Sequence, residues 1–230
     1  MALSDVETAR YARQLVLPGF VPMTQEFLRA ARVRVVGAGE VGGPALLYLA
    51  VGGVGTLLVD DALDLGPEDA AGWLCASAEF GQPRTLAAIS AVRAATSLCK
   101  VRPYATGTDP TAALICVSSP ATAREAAERA RQLGLPHVVA FASGDDGEVV
   151  SVPLGAPCFQ CASRLASGTP ARAGAAAASL GALAALELLQ MLAGAVEGPT
   201  GRRVDLVLGQ PRVHPTTRVA GCACARPRAS

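Results

Sequence analysis

Two hydrophobic patterns alternate along this chain: short unbroken apolar runs, and longer stretches with one apolar side. The runs at 33–36 (VRVV), 56–60 (TLLVD), 114–117 (LICV) and 137–141 (HVVAF) predict strands buried in a sheet. Between them the spacing becomes helical. Leu86, Ile89 and Val92 recur at that spacing within 83–98, and 120–133 is amphipathic and closed by Gly134. A helix is expected to begin at 44–50 and to end at Gly52-Gly53. Residues 4–16 predict a short helix capped by Ser4 or Asp5 with Glu7 in its first turn, and 23–31 predict a second. A strand is expected near 101–105, while 148–152 is read as leaving the sheet towards a cysteine-bearing loop. The long apolar stretch 179–192 predicts a helix, and 203–208 with 211–218 predict an antiparallel pair. Residues 166–178, rich in Gly, Ala and Ser, predict a mobile segment.

Strands alternating with helices and followed by a β-rich end predict an α/β, Rossmann-like fold. Its sheet is expected to be mostly parallel, with helices on both faces and a short antiparallel C-terminal part. The 230 residues fit one domain, with a nucleotide-binding half at 31–141 and a cysteine-bearing C-terminal part at 142–230.

Gly37-Ala38-Gly39-Glu40-Val41-Gly42 follows a predicted strand and opens a predicted helix, the context in which G-x-G-x-x-G carries meaning. Gly37 permits the tight turn, Gly39 lets the backbone approach a phosphate, and Gly42 lets helix and strand pack closely. Asp60 ends the next strand about twenty residues on, where an acid can accept from ribose hydroxyls. This pattern does not separate NAD, FAD and ATP.

Formal net charge is +1, with no long run of either sign, so electrostatics do not point to nucleic acid or an anionic membrane. The uncharged stretch 41–59 is broken by Pro44 and by glycines at 42, 43, 52, 53 and 55, which favours a helix and a buried strand over a membrane span. The Ala-rich run 173–186 is too short to cross a bilayer, and the N-terminus lacks the order of a signal peptide. A cytoplasmic protein is expected, whose seven cysteines are free thiols or metal ligands rather than disulfides.

Cys158-Phe159-Gln160-Cys161 and Cys222-Ala223-Cys224 make two close pairs, which suits a closed tetrahedral structural zinc. Redox or free-thiol use is the alternative. Cys99 and Cys116 fall on apolar elements and predict buried thiols, whereas Cys75 has no neighbouring His or Lys to activate it. His137 and His214 lack readable partners and are expected to be structural.

Four segments occur in order: RYARQLVLPGF (10–20), ARVRVVGAGEVGGPALLYLAVGGVGTLLVDD (31–61), GQPR (81–84) and APCFQC (156–161). The series resembles the ThiF/MoeB/HesA family, relatives of ubiquitin-activating enzymes, over nearly the whole chain. The resemblance implies use of Mg-ATP to adenylate the C-terminus of a ubiquitin-like carrier protein or peptide. It also implies a dimer, either a homodimer or a heterodimer with a related activating subunit. Arg13 would reach the neighbour's nucleotide, Asp60 would hold the ribose, and Arg84 would replace a phosphate-binding lysine.

Several positions depart from the family pattern. Glu40 stands where glycine is usual inside the phosphate turn, and a carboxylate there opposes the helix N-terminus that attracts phosphate. The second acid of D-x-D is replaced in Asp60-Asp61-Ala62-Leu63. An expected Asn and Arg are replaced in the segment Pro67-Glu68-Asp69-Ala70-Ala71, and Ser119 stands in the place of a metal-holding aspartate. Asp61, Glu68 and Asp69 are candidate compensating acids. Adenylation needs cations where charge builds on the phosphates, so the expectation is a member impaired in ATP activation that acts as a binding or partner subunit. An active adenylyltransferase is the alternative, and a nicotinamide or flavin oxidoreductase a third class that the RYARQ segment and the cysteine pairs disfavour.

Overall fold

The computed structural model describes residues 3–17, 22–70, 79–144, 146–164, 174–194, 200–207 and 210–225. Helix α1 (Asp5–Leu15) is capped by Ser4, whose hydroxyl accepts from the Glu7 N–H while the Glu7 carboxylate accepts from the Ser4 N–H. Those bonds hold the Glu7 carboxyl below its usual range, helped by Arg29 on α2 (Pro22–Ala30) at 3.1 Å. The chain then enters β1 (Arg32–Val36), α3 (Gly42–Val51), β2 (Thr56–Asp60) and, after a short 3-10 turn at Pro67–Asp69, α4 (Arg84–Ala95) and β3 (Lys100–Pro103). Next come β4 (Ala112–Ile115), α5 (Pro120–Gln132), β5 (His137–Ser143), β6 (Asp146–Val152) and the short α6 (Phe159–Ala162). Helix α7 (Gly174–Leu192) precedes β7 (Arg202–Val207) and β8 (Gln210–Pro215).

The eight strands form one sheet in the order β3-β2-β1-β4-β5-β6-β7-β8. The first five in that order run parallel, and β6, β7 and β8 are added antiparallel. The mostly parallel Rossmann-like sheet with an antiparallel C-terminal part is therefore as expected. Val33, Val35, Leu57, Val59 and Leu114 face α3, α4 and α7, while Ile115, Val139 and Val150 face α5 and α6. Both faces of the central strands are covered, which is why their sequences read as unbroken apolar runs.

Three expectations need correction. The 148–152 segment does not leave the sheet but lies inside it as β6, between β5 and β7, because Val149, Val150 and Val152 can be buried on both faces there. Helix α7 begins at Gly174, so residues 174–178 of the stretch expected to be mobile are helical; 165–173 lie outside the described residues. Finally, the 173–186 run does not stop there. It continues to Leu192 in a 19-residue helix with a mean hydropathy of 1.6 over an 18-residue window, the length and composition of a bilayer span. Here α7 packs on α3, β5 and β6, and its Glu187 is buried, accepting from the Ser151 hydroxyl and Arg202 Nε at 2.6 Å each.

His137 opens β5 with 1% of its surface exposed. Its Nδ1 lies 3.0 Å from the Leu135 carbonyl oxygen, which only accepts, so Nδ1 carries the proton and the buried Nε2 has no partner among the described residues. Burial pushes its pKa below the usual 6.5. A folded-state pKa below the unfolded one contributes stability above about pH 6.5 that is lost as the pH falls. Urea denaturation at pH 7.5 and pH 5.5 should therefore show acid destabilisation, and His137→Leu should reduce that pH dependence. An unchanged pH dependence in the variant would contradict this account.

Candidate functional site

The strand order reverses at β1, between β2 and β4, and in open α/β sheets ligands bind beyond the carboxyl ends of the strands at such a point. A cavity of about 570 Å³ lies there, walled by the glycine turn, the ends of β1, β2 and β4, the 3-10 turn and the start of α5.

Gly37 sits at φ +87°, and a Cβ on it would overlap the Cys116 carbonyl oxygen after β4. At Gly42 a Cβ would overlap the Gly37 carbonyl oxygen. These two glycines are required by protein packing alone. Gly39 differs: a Cβ there would meet nothing closer than Arg84 Nη1 at 3.7 Å and Asp69 Oδ1 at 3.8 Å. The neighbouring protein does not exclude a side chain at 39, so the glycine leaves backbone open to the cavity. The Ala38 N–H donates to Asp61 Oδ2 at 2.7 Å, while the N–H groups of residues 39–41 have no backbone acceptor among the described residues. They lie where the turn enters α3, an arrangement that attracts anions.

Among the described residues the cavity carries five carboxylates, from Glu40, Asp60, Asp61, Glu68 and Asp69, against one lining cation, Arg84. Most of those acids are engaged. Asp69, 3% exposed, accepts from Arg84 Nε at 2.9 Å and from the Gly66 N–H at 3.0 Å, with Arg84 Nη2 at 2.8 Å. Glu68 meets the same Nη2 at 3.2 Å from a more exposed position. Asp61 also accepts from the Leu63 N–H, and its carbonyl takes the Thr85 hydroxyl. Glu40 remains in the turn. Burial pushes its pKa up and the charge of Asp69 adds to this, with Arg84 opposing.

Arg84 thus stands beside the phosphate turn, but two of its nitrogens are tied to the acids of the 3-10 turn. Asp60 faces the cavity while one of its oxygens receives Arg34 from β1. Ser119 is the N-cap of α5, its hydroxyl accepting from the Thr122 N–H at 3.4 Å. Position 119 therefore offers no carboxylate to a magnesium ion, and the acids across the cavity are largely occupied, so these residues do not fit the family's metal position. Arg13 is exposed in the last turn of α1 and does not line the cavity. Cys116 lines the cavity, but burial raises its thiol pKa to about 12, which leaves it a poor nucleophile. Cys75 lies outside the described residues.

Far along the chain, Cys158, Cys161, Cys222 and Cys224 converge with all four sulfurs within 4.8 Å of one another. Cys158 Sγ lies 3.8 Å from Cys161 Sγ and 3.6 Å from Cys222 Sγ, and Cys161 Sγ lies 3.6 Å from Cys224 Sγ. A Zn–S bond of about 2.3 Å gives a tetrahedron with edges of about 3.8 Å, so the cluster fits such an ion. The Val219 N–H points at Cys161 Sγ at 3.4 Å. Burial pushes the Cys158 and Cys161 thiols up, whereas a hydrogen bond from the Cys224 backbone lowers Cys222 to about 7. The shortened Cys-Ala-Cys pair still reaches, because a 3-10 turn at Ala223–Ala225 brings Cys224 back towards Cys161.

The site residue not singled out from the sequence is Arg34. It lies within an apolar strand where the glycine pattern assigns it no role, and only the β1–β2 register, which sets Arg34 opposite Leu58 and Val36 opposite Asp60, brings it to the carboxylate.

A family model described as the ThiF family matches residues 11–222. The adenylyltransferase and sulfurtransferase MOCS3 of Bos taurus is 35% identical over 223 residues, covering 87% of this chain and 49% of its own. The adenylyltransferase and sulfurtransferase uba4 of Aspergillus fumigatus is 30% identical over 234 residues, covering 90% and 48%. The vegetative HesA protein of Trichormus variabilis is 40% identical over 87 residues, covering 37% and 33%. The chain thus spans about half or less of the length of these curated relatives. Among solved structures, E. coli MccB with MccA-N7isoASN superposes with a TM-score of 0.80 at 16% identity, covering 97% of this chain and 76% of that one. MccB with ATP gives 0.77 at 17% identity, covering 97% and 75%.

Removing one partner of a buried ion pair strands the other, at a cost of about 3–5 kcal/mol. Asp69→Ala should therefore lower stability in urea by about that amount, whereas Glu68→Ala should cost about 1 kcal/mol or less. Equal effects would contradict the division of labour around Arg84.

Proposed function

The chain belongs to the ThiF family, and we propose that it binds ATP in this cleft as the nucleotide-binding subunit of an adenylyltransferase assembly. In that assembly a carboxylate oxygen of a carrier protein or peptide attacks the α-phosphorus of ATP, an acyl-adenylate forms and pyrophosphate leaves. The observation that carries the reading is the opening at Gly39. The turn keeps a glycine its protein neighbours do not require, beside N–H groups with no backbone acceptor among the described residues, and Asp60 lines the same cavity.

The chemistry of the phosphate side supports a subunit that is slow on its own. Stabilising the charge that builds on departing phosphates needs cations aimed at them. Here Arg84 is held by Asp69 and Glu68, Ser119 caps a helix, and Glu40 adds negative potential. Arg13, exposed on α1, is free of the chain's own cleft and available to a second subunit, of the same or a related kind. A self-sufficient adenylyltransferase is the second reading. It is favoured by the names of relatives 30–35% identical over most of this chain.

The four-cysteine cluster is read as a structural zinc site. Four thiolates fill a tetrahedron, leave no position for water, and tie the C-terminal segment to the loop after β6. The zinc would supply folding energy and no chemistry in the cleft.

ATP–pyrophosphate exchange with magnesium and a synthetic peptide ending in Gly-Gly tests the main reading, beside calorimetric titration of ATP. The isolated protein should bind ATP yet exchange more slowly than about 1 s⁻¹, the low end for ordinary turnover. Faster exchange would establish the second reading instead, and absence of ATP binding would sink both. Because an arriving phosphate raises the Glu40 pKa further, binding takes up protons and tightens as the pH falls. Glu40→Gln should strengthen binding at pH 8 by about five- to tenfold and flatten that dependence. Metal analysis should find about one zinc per chain, lost with thermal stability in Cys161→Ser. A metal-free protein with unchanged melting in the variant would contradict the zinc assignment.

A further inference from the structure

We infer that Arg34 is a positioning residue that restricts Asp60 to reading a single ribose hydroxyl of the nucleotide, an inference that rests on the nucleotide reading of the cleft. Arg34 lies on the α5-facing side of β1, and its guanidinium reaches across to the end of β2. Nε donates to Asp60 Oδ2 at 2.9 Å, and Nη2 donates to the same oxygen at 2.5 Å. The guanidinium carbon sits 4.1 Å from the ring centroid of Tyr104, just beyond β3, so the arginine is held from its other face by a cation–π contact. Only 17% of its side chain is exposed, against 33% for Asp60.

A carboxylate has two oxygens and about four lone-pair sites. An acid free to turn can present one oxygen to each hydroxyl of a ribose cis-diol. Asp60 cannot. Two charge-assisted bonds from one guanidinium occupy Oδ2 and fix the plane of the carboxylate, so Oδ1 is the oxygen left for a ligand. The anchor is also stiff at both ends. Arg34 is stacked on Tyr104, whose backbone N–H donates to the Val59 carbonyl at 2.8 Å, next to Asp60 itself. Oδ1 then makes its one short, well-aligned bond to a single hydroxyl; the second hydroxyl of the diol can share that oxygen only with poorer alignment and adds little.

Titration of the protein with ATP, 2′-deoxyATP and 3′-deoxyATP reads this directly. One deoxy analogue should bind within about threefold of ATP, and the other should be about 10- to 100-fold weaker, the worth of one hydrogen bond to a charged acceptor. Arg34→Met keeps an unbranched stem but removes both donors. With Asp60 released, the variant should discriminate against both analogues. A merely structural role for Arg34 would change overall affinity without changing which hydroxyl matters. Comparable losses for both analogues in the unaltered protein, or for neither, would overturn the inference, as would an Arg34→Met variant that keeps the original pattern. The unaltered protein carries the first comparison alone, whether or not the variant folds. If ATP itself does not bind, the nucleotide reading falls and takes the inference with it; if ATP binds and the analogue pattern is wrong, only the inference falls.

Discussion

Three peptide units lie in direct contact at the centre of this molecule: Gly37 against the Cys116 carbonyl, and Gly42 against the carbonyl of Gly37. That packing brings the first turn of α3 down onto the ends of β1 and β4, and it leaves no room for a side chain at either glycine. The rest of the site follows from it. With α3 pinned there, the turn that enters it lines the cavity, Asp61 can reach Ala38 from the end of β2, and the 3-10 turn with Arg84 stands beside Gly39. The antiparallel strands and the cysteine cluster lie outside this constraint and extend the same sheet.

Charge decides what this cleft can do with an anion. An N-terminal helix turn attracts phosphate, but among the described residues the cavity around it holds five carboxylates and a single lining cation. Hydrogen bonds and the Arg84 pair occupy several of those acids, which leaves them less free to receive a metal. On the proposed reading the cleft takes a nucleotide, and its phosphate end lacks the cationic help that phosphoryl chemistry uses. A second subunit contributing an arginine would supply part of it.

The sheet and the glycine turn were legible in the sequence because each rests on a local signal. Apolar runs buried on both faces mark β1, β2, β4 and β5, and Gly37 and Gly42 answer to steric demands that only glycine meets. Elements set by long-range pairing were harder to read. The segment before Val152 reads as an exit from the sheet, and only pairing with β5 and β7 makes it an interior strand. Helix α7 starts earlier than expected because Gly, Ala and Ser suit a loop by composition, yet small residues also allow close packing on α3, where Gly181 lies against the Val41 carbonyl. Among site residues, the four cysteines were visible from their spacing. The part played by Arg34 was not, since one arginine in a strand carries no pattern until the register places it beside Asp60. The resemblance implied a phosphate-binding role for Arg84, but its capture by Asp69 depends on a turn that sequence spacing does not reveal.

The most direct test of this account is a crystal structure of the protein grown with magnesium and a non-hydrolysable ATP analogue. In that structure the ribose should lie against Asp60 and the phosphates over the N–H groups of residues 39–41, with Arg84 still paired to Asp69. A cleft that stays empty at saturating analogue, or an analogue bound away from the glycine turn, would contradict it.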